Sequence, residues 1–395
     1  MIPRVSSTDD SKDFLQRSGG ATQARVFPLR MLRLLVLFLL VGIGFFAFSI
    51  YLTRHFALQG MRIHARSSIL TCAEERQGGF SLDYWIHPQS SASHSMSDEQ
   101  LLWRASFVPQ VKDYPFQRTP KVAFMFLTRG PLPLAPLWEK FYKGYSGLYS
   151  IYIHTLPSYK ATFSTESVFY GRQIPSKVSE WGQMSMCDAE RRLLANALLD
   201  ISNEWFVLLS ESCIPLHNFS IVYEYLSRSR YSFIGSIDDP GPYGRGRYDL
   251  RMLPEVRIEQ WRKGSQWFEV NRKHAISIVK DKTYYPKFEK FCKPHCYVDE
   301  HYFPTMLTIE APNDLANRSL TWVDWSRGGA HPASFGRNDV TEAFLKGILE
   351  AYACSYNNNH HHNNNYTMCH LFARKFAPSA LDPLLRLGPD LLGFG

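Results

Sequence analysis

The sequence predicts an α/β domain built on a mostly parallel, Rossmann-like sheet, carried behind a single N-terminal transmembrane helix. Three observations predict it. The run from Trp205 to Leu209 is apolar without alternation, as a strand buried on both faces of a parallel sheet requires. Strand, helix and strand follow one another between Lys121 and His154 at the spacing of a βαβ unit. Leu34 to Leu52 is nineteen residues without a charge, enough to cross a hydrocarbon core about 30 Å thick.

From the N-terminus, residues 1–33 read as a polar cytoplasmic tail and 34–52 as the membrane anchor. A cleaved signal peptide has a shorter apolar core at the extreme terminus, whereas a long polar segment precedes this one, so an uncleaved signal-anchor is expected. Basic residues near the span are almost balanced between its two sides. The acceptor sequons Asn218-Phe-Ser, Asn317-Arg-Ser and Asn365-Tyr-Thr all lie after it, which favours a single-pass type II orientation with the bulk of the chain lumenal. Residues 53–118 read as a stem and the segment that enters the domain, the aromatic stretch from Tyr84 to Val111 marking a part that packs on it. The main domain is placed at 119–380, followed by a C-terminal tail, 381–395.

Within the domain, Lys121 to Leu127 reads as a buried strand, Leu137 to about Tyr145 as a helix after a Pro/Gly loop, and Tyr149 to His154 as a second strand. Trp181 to Ile201 carries apolar residues at helical spacing. The strand through Trp205 follows and turns polar at once, at Ser210-Glu-Ser-Cys213, with Pro215 barring its continuation. A short helix from Ile221 to Ser229 and a strand from Tyr231 to Gly235 complete the alternating half. The second half is richer in loops, Trp and Arg, as suits a substrate-binding portion.

Composition excludes several classes. The net charge of +8 is dispersed rather than run together, so nucleic acid is not an expected partner. Neither GxGxxG nor GxxxxGK[ST] occurs, and dinucleotide-binding and P-loop readings lose their main support. None of the seven cysteines forms a CxxC pair, against a zinc ribbon. Cys292 and Cys296 flank His295 and have two readings, metal ligands or disulfide partners, the second being commoner in a secretory compartment. Cys354 and Cys369 bracket a low-complexity Asn/His loop and read as a staple.

Ligands of open α/β sheets bind beyond the carboxyl ends of the strands, which draws attention to Glu211 with its neighbouring hydroxyls. Asp238 to Arg247 combines two carboxylates, three glycines and the guanidinium forks of Arg245 and Arg247. Trp267 and Phe268 read equally as a sugar-stacking pair or as core. Asp299 and Glu300 open a short helix, one expected to cap its N-terminus and the other to face a site. His331 to Arg337 and His370 to Phe376 add the cations Arg337, Arg374 and Lys375.

The stretches WGQMSMCDAERRLLANALLD, WFVLLSESCIPLHNF, SIDDPGPYGRGRYDLRMLPE, WFEVNRKHA, VDEHYFPT and CHLFARKF resemble the core-2/I-branching β-1,6-N-acetylglucosaminyltransferase family, most closely its plant branch. The similarity covers roughly Lys121 to Pro378. It implies a type II Golgi membrane enzyme with a GT-A-like fold, a UDP-sugar donor (UDP-GlcNAc by default, another sugar such as glucuronic acid as the alternative) and a glycan or glycoprotein acceptor. It implies inverting transfer with no metal and no other cofactor. On the family's motifs Glu300 falls as catalytic base and Lys375 as diphosphate ligand. Arg337 is the nearest candidate for the partner arginine, although Ala333 sits at the strict offset. His154 falls on the nucleotide-contacting strand end, and Arg245, Arg247 and Trp325 on the acceptor side. Where metal-dependent relatives carry an acid-x-acid motif this chain has the single carboxylate Glu211, which becomes a substrate-positioning residue. Two rival readings are a glycoside hydrolase using Glu211 and Glu300 as its acid pair, and a non-catalytic glycan-binding or scaffold protein of the same fold.

Overall fold

In the computed structural model of the protein the described residues are 33–34, 36–52, 92–111, 113–293, 296–350, 353–354, 356–357 and 367–395. Most of the expected stem, the Asn/His loop at 358–366, Cys72, His295 and the sequon at Asn365 lie outside them. The chain divides into two compact units, Met1–Gly79 and Phe80–Gly395. In the first, residues 36–52 are helical and exposed throughout. Among the described residues no helix is long and apolar enough to cross a membrane.

The second unit runs α1 (Asp98–Ser106), β1 (Lys121–Leu127), α2 (Ala135–Tyr142), β2 (Tyr149–His154), α3 (Met184–Leu198), β3 (Asn203–Ser210), β4 (Ile214–Pro215) and α4 (Phe219–Ser227). There follow β5 (Glu269–Asn271), α5 (Arg272–Lys280), α6 (Tyr285–Phe291), α7 (Val298–Glu310), β6 (Thr321–Val323), α8 (Glu342–Glu350), β7 (Ala353–Cys354), β8 (Thr367–Met368), β9 (Phe372–Arg374) and α9 (Leu381–Leu391). The main sheet has the order β2-β1-β3-β5. The β1 strand pairs in parallel with β2 and β3, and β5 closes the edge antiparallel to β3. A smaller sheet, β4-β9-β6, is assembled from chain segments far apart in sequence.

Strand side chains alternate between two layers. Val122, Phe124 and Phe126 of β1, with Trp205, Val207 and Leu209 of β3, pack with Trp138, Phe141 and Tyr142 of α2 and Phe219 of α4. Ala123 and Met125, with Phe206 and Leu208, face Leu193, Leu194 and Ala197 of α3 and Ile276 of α5. Both faces are therefore covered, which is why these strands read as continuous apolar runs. The register matters for function: Leu127 stands opposite both His154 and Ser210, so three strands end at one level.

Local chemistry fixes the helix ends. Ser97 and Gln100 form a reciprocal capping box on α1. Asn218 accepts from the Ile221 N–H at 3.0 Å and caps α4. The helix expected from Trp181 starts instead at Met184, because Gly182 takes a left-handed φ of 77° that helical geometry does not allow. The strand expected at Tyr231 to Gly235 is reduced to isolated bridges at Ser232 and Phe233. Trp267 and Phe268 are core, 5% and 0% exposed. Cys292–Cys296 and Cys354–Cys369 are disulfides, so the metal reading of the first pair is set aside, while Cys187 and Cys213 are buried thiols.

The two sheets meet at a buried carboxyl. Glu269 of β5 accepts from the Leu320 N–H (2.9 Å) and from the Thr321 hydroxyl (3.1 Å), and burial pushes its pKa up to about 7. A folded-state value above the unfolded one means stability that is complete below about pH 4.5 and lost as pH rises through about 7. Glu269→Gln preserves the shape of the protonated form and cannot ionise. It is expected to exceed the parent in stability at pH 8 by on the order of 3 kcal/mol and to converge with it near pH 4.5, as followed by denaturant unfolding. A pH-independent difference would contradict the assignment.

Candidate active site

Three groups of side chains gather around the strand ends. The first is carried by the start of α7. Tyr297 precedes the helix in a left-handed conformation (φ 55°), and its carbonyl accepts from the Glu300 N–H at 3.0 Å. The Glu300 carbonyl in turn accepts from the Gly264 N–H at 2.8 Å. Only glycine fits at 264, since a Cβ there would lie 1.9 Å from the Gly235 carbonyl oxygen. The Glu300 carboxylate is partly exposed, with Lys263 Nζ at 3.5 Å and Arg247 Nη1 at 3.7 Å from Oε2. These are charge contacts longer than hydrogen bonds, so the oxygen keeps its acceptor capacity. Arg247 lies 4.5 Å from the centroid of the Tyr297 ring, and its Nη1 is buried with no hydrogen-bond partner.

Asp299 faces the other way and is 2% exposed. Asp299 takes the part expected of the capping acid, its carboxyl being hydrogen-bonded by the first-turn backbone of Asp299 and Glu300, although the N-cap residue itself, Tyr297, makes no side-chain cap bond. Burial first, and then the charge of Glu300, raise the Asp299 pKa to about 7. Behind it Glu190 of α3 is fully buried. Burial and the charge of Asp299 hold its carboxyl well above the usual range, and one oxygen accepts from Gln266 Nε2 at 2.8 Å. Between them the two acids form a proton-retaining floor under the exposed carboxylate.

The second group is cationic and lies beyond β3. The smaller sheet sets Ile214 opposite Ala373 and Pro215 opposite Phe372, and the Phe376 N–H donates to the Ser212 carbonyl at 2.9 Å. Arg374 and Lys375 are thereby delivered to the Ser210–Cys213 turn. The Arg374 guanidinium lies 4.1 Å from the centroid of Trp267. Burial chiefly, then the charges of Arg374 and Arg129, lower the Lys375 pKa, while the charge of Glu211 raises it. Three cations thus share one carboxylate, leaving a net positive pocket at the strand end.

The third group surrounds His154 at the end of β2. Its ring is fully buried, and Nε2 accepts from Arg192 Nη1 at 2.9 Å. Burial and then the charge of Arg192 bring its pKa down to about 3. The neutral ring must therefore carry its proton on Nδ1, an atom that is buried and without a partner. Arg192 is gripped by Asp98 of α1 through two bonds of 2.8 Å, and Lys177 reaches the same carboxylate at 2.6 Å.

The remaining expected residues are placed differently. Arg337 is exposed and paired with Asp382. Arg245 is tied to Asp238 by two bonds of 2.8 Å, and Trp325 is 53% exposed. Sequence reasoning missed Lys263 and Arg129. The first lies beside a glycine in a basic Arg262-Lys263 pair and the second two residues past the end of β1, positions that suggest a site only once the topology is known.

A parallel-sheet domain that opposes a carboxylate to a cation-lined strand end has the parts of an enzyme transferring a group from an anionic donor, and similarity to known proteins narrows that class to the glycosyltransferases. The family description Core-2/I-Branching enzyme matches residues 122–349, more than half of the chain. Over 307 residues, 68% of this chain and 76% of the other, the sequence is 37% identical to the rice protein Glycosyltransferase BC10 of Oryza sativa subsp. japonica. The chain belongs to the core-2/I-branching enzyme family and is a glycosyltransferase, which displaces both the hydrolase and the scaffold readings.

The contact between Glu300 and Asp299 is open to direct measurement. In Glu300→Gln the repulsion disappears, and the Asp299 carboxyl titration, followed by 13C NMR of Asp-labelled protein, is expected to move down from about 7. An unmoved titration would show that the two carboxyls do not interact.

Proposed function

We propose that the protein transfers a sugar from a UDP-sugar, by default UDP-GlcNAc, to a hydroxyl of a glycan or glycoprotein, with inversion and without a metal, in a GT-A-like domain. In this reading Glu300 removes the proton of the acceptor hydroxyl as that oxygen attacks the anomeric carbon. The new C–O bond forms on one face while the bond to the diphosphate oxygen breaks on the other. The proton ends on Glu300 and the electron pair leaves with UDP. Lys263 and Arg247 lie beside the base at 3.5 and 3.7 Å without occupying its lone pairs by close hydrogen bonds.

The observation that carries the proposal is the convergence of Lys375, Arg374 and Arg129 on the end of β3. Departure of a nucleoside diphosphate develops negative charge there, and fixed cations stabilise it as a bound metal would. Glu211 fits a role in orienting Lys375 and the donor. His154 keeps its place on the nucleotide side only through the resemblance, since its ring is sealed at the end of β2 in the resting protein. Arg337 would have to leave Asp382 to reach a diphosphate, which makes Arg129 the better second cation.

The same reading places the enzyme in the Golgi membrane, type II, anchored through Leu34 to Leu52. The two disulfides suit an oxidising lumen, and the sequon residue Asn317 is exposed on the domain.

Three outcomes are expected of purified enzyme supplied with a screened UDP-sugar and acceptor. Glu300→Gln lowers turnover by about 10²-fold or more and retains UDP binding. Lys375→Ala weakens UDP binding measured by calorimetry by roughly tenfold. Excess chelator leaves the rate unchanged. Near-normal turnover in the Gln variant would remove Glu300 as base, and loss of transfer in chelator would remove the metal-free mechanism.

A further inference from the structure

We infer that Trp181 and Tyr243 form a shelf on which a pyranose ring of the acceptor stacks, while the attacking hydroxyl faces Glu300. The inference rests on the reading of Glu300 as base. Trp181 is 42% exposed and Tyr243 66%; Trp103, Phe107, Tyr170 and Trp325 are exposed as well, but Trp181 and Tyr243 are linked by ring contacts to the residues around Glu300. Both exposed rings lead to one charge, Tyr243 directly and Trp181 through Tyr297. The guanidinium of Arg247 lies 5.4 Å from the centroid of Tyr243 and 4.5 Å from that of Tyr297. Trp181 meets Tyr297 edge to face at 4.9 Å, and His331 lies 4.9 Å from Trp181. A line of contacts therefore runs from exposed Trp181 through Tyr297 and Arg247 to the Glu300 carboxylate. The left-handed turn at Gly182 makes this possible: a Cβ there would already touch the Tyr297 ring at 3.4 Å, and the turn carries Trp181 off the end of α3.

The chemistry of the shelf selects its occupant. A pyranose offers an apolar C–H face to a flat ring and hydroxyls around its rim. The buried Nη1 of Arg247, 3.7 Å from Glu300 and making no hydrogen bond among the described residues, is a donor that such a hydroxyl can meet. An anionic nucleotide is drawn instead to Lys375, Arg374 and Arg129, and its phosphates are repelled by Glu300. A general base must stand within hydrogen-bond reach of the proton it takes, so rings ranged about Glu300 belong to the acceptor's side.

The test uses the full chain in detergent, labelled with 5-fluorotryptophan, the 19F resonance of Trp181 being assigned by its absence from Trp181→Phe. The protein is titrated separately with the methyl β-glycosides of galactose, glucose, xylose and N-acetylglucosamine, and with UDP. At least one glycoside is expected to shift the Trp181 resonance saturably while UDP does not. Tyr243→Ala is expected to weaken that glycoside by about fivefold (~1 kcal/mol). The shelf is overturned if no glycoside moves the resonance up to its solubility limit, or if UDP moves it. Calorimetric UDP binding in the same sample separates the two failures. UDP bound with no glycoside response removes the shelf and leaves the transferase reading standing; no UDP bound removes the donor reading as well.

Discussion

The second half of the chain is returned to the first at the Ser210–Cys213 turn, where the Phe376 N–H bonds to the Ser212 carbonyl and β9 adds to β4. A strand that stops at a buried level leaves backbone groups that must find partners. Here they are met by a segment more than 150 positions away in sequence. The same pairing carries Arg374 and Lys375 to the strand end, so the backbone requirement and the electrostatic one are satisfied together. On the far side of the turn the Trp138 indole N–H donates to the Cys213 carbonyl at 3.1 Å, which ties α2 into the same corner.

Around that corner the site is divided into two poles. The positive one, Lys375 with Arg374 and Arg129, is faced by the carboxylate of Glu211. The negative one, Glu300, is backed by Asp299 and Glu190, both held toward their protonated forms by burial. If those inner acids were ionised at neutral pH, their field would oppose a further carboxylate beside them. Held toward their protonated forms by burial, they temper that opposition beside Glu300 at the start of α7. In the proposed reaction negative charge moves from an acceptor oxygen beside Glu300 to a departing diphosphate beside Lys375, from the negative pole toward the positive one. The polarity is therefore built into the resting protein and needs little rearrangement during reaction.

Much of this was legible in the sequence, for identifiable reasons. The strands β1 and β2 were read at their observed limits because a sheet covered on both faces demands unbroken apolar runs. Residues of the CHLFARKF and VDEHYFPT stretches led to Lys375 and Glu300. What escaped was set by long-range contact. Nothing local reveals that the Tyr231–Gly235 run spends its hydrogen bonds on isolated bridges, or that Trp267 is a core residue carrying Arg374 on its face. Asp299 reads as a helix cap because acids at a first turn commonly are, and its carboxyl does bond the first-turn backbone; what the sequence does not reveal is that it is buried beside Glu190 of α3. Arg337 was named from its distance along the chain to a histidine segment. The fold gives it Asp382 as a partner and sets Arg129, from the loop after β1, beside Lys375.

The most direct test of the two-pole account is a crystal structure of the protein with UDP bound, grown with divalent metal present in excess. The diphosphate oxygens are expected within about 3 Å of Lys375 Nζ, with Glu300 on the opposite side of the vacant sugar position and no ion between UDP and Glu211. A metal bridging the diphosphate to Glu211, with Lys375 turned away, would contradict it.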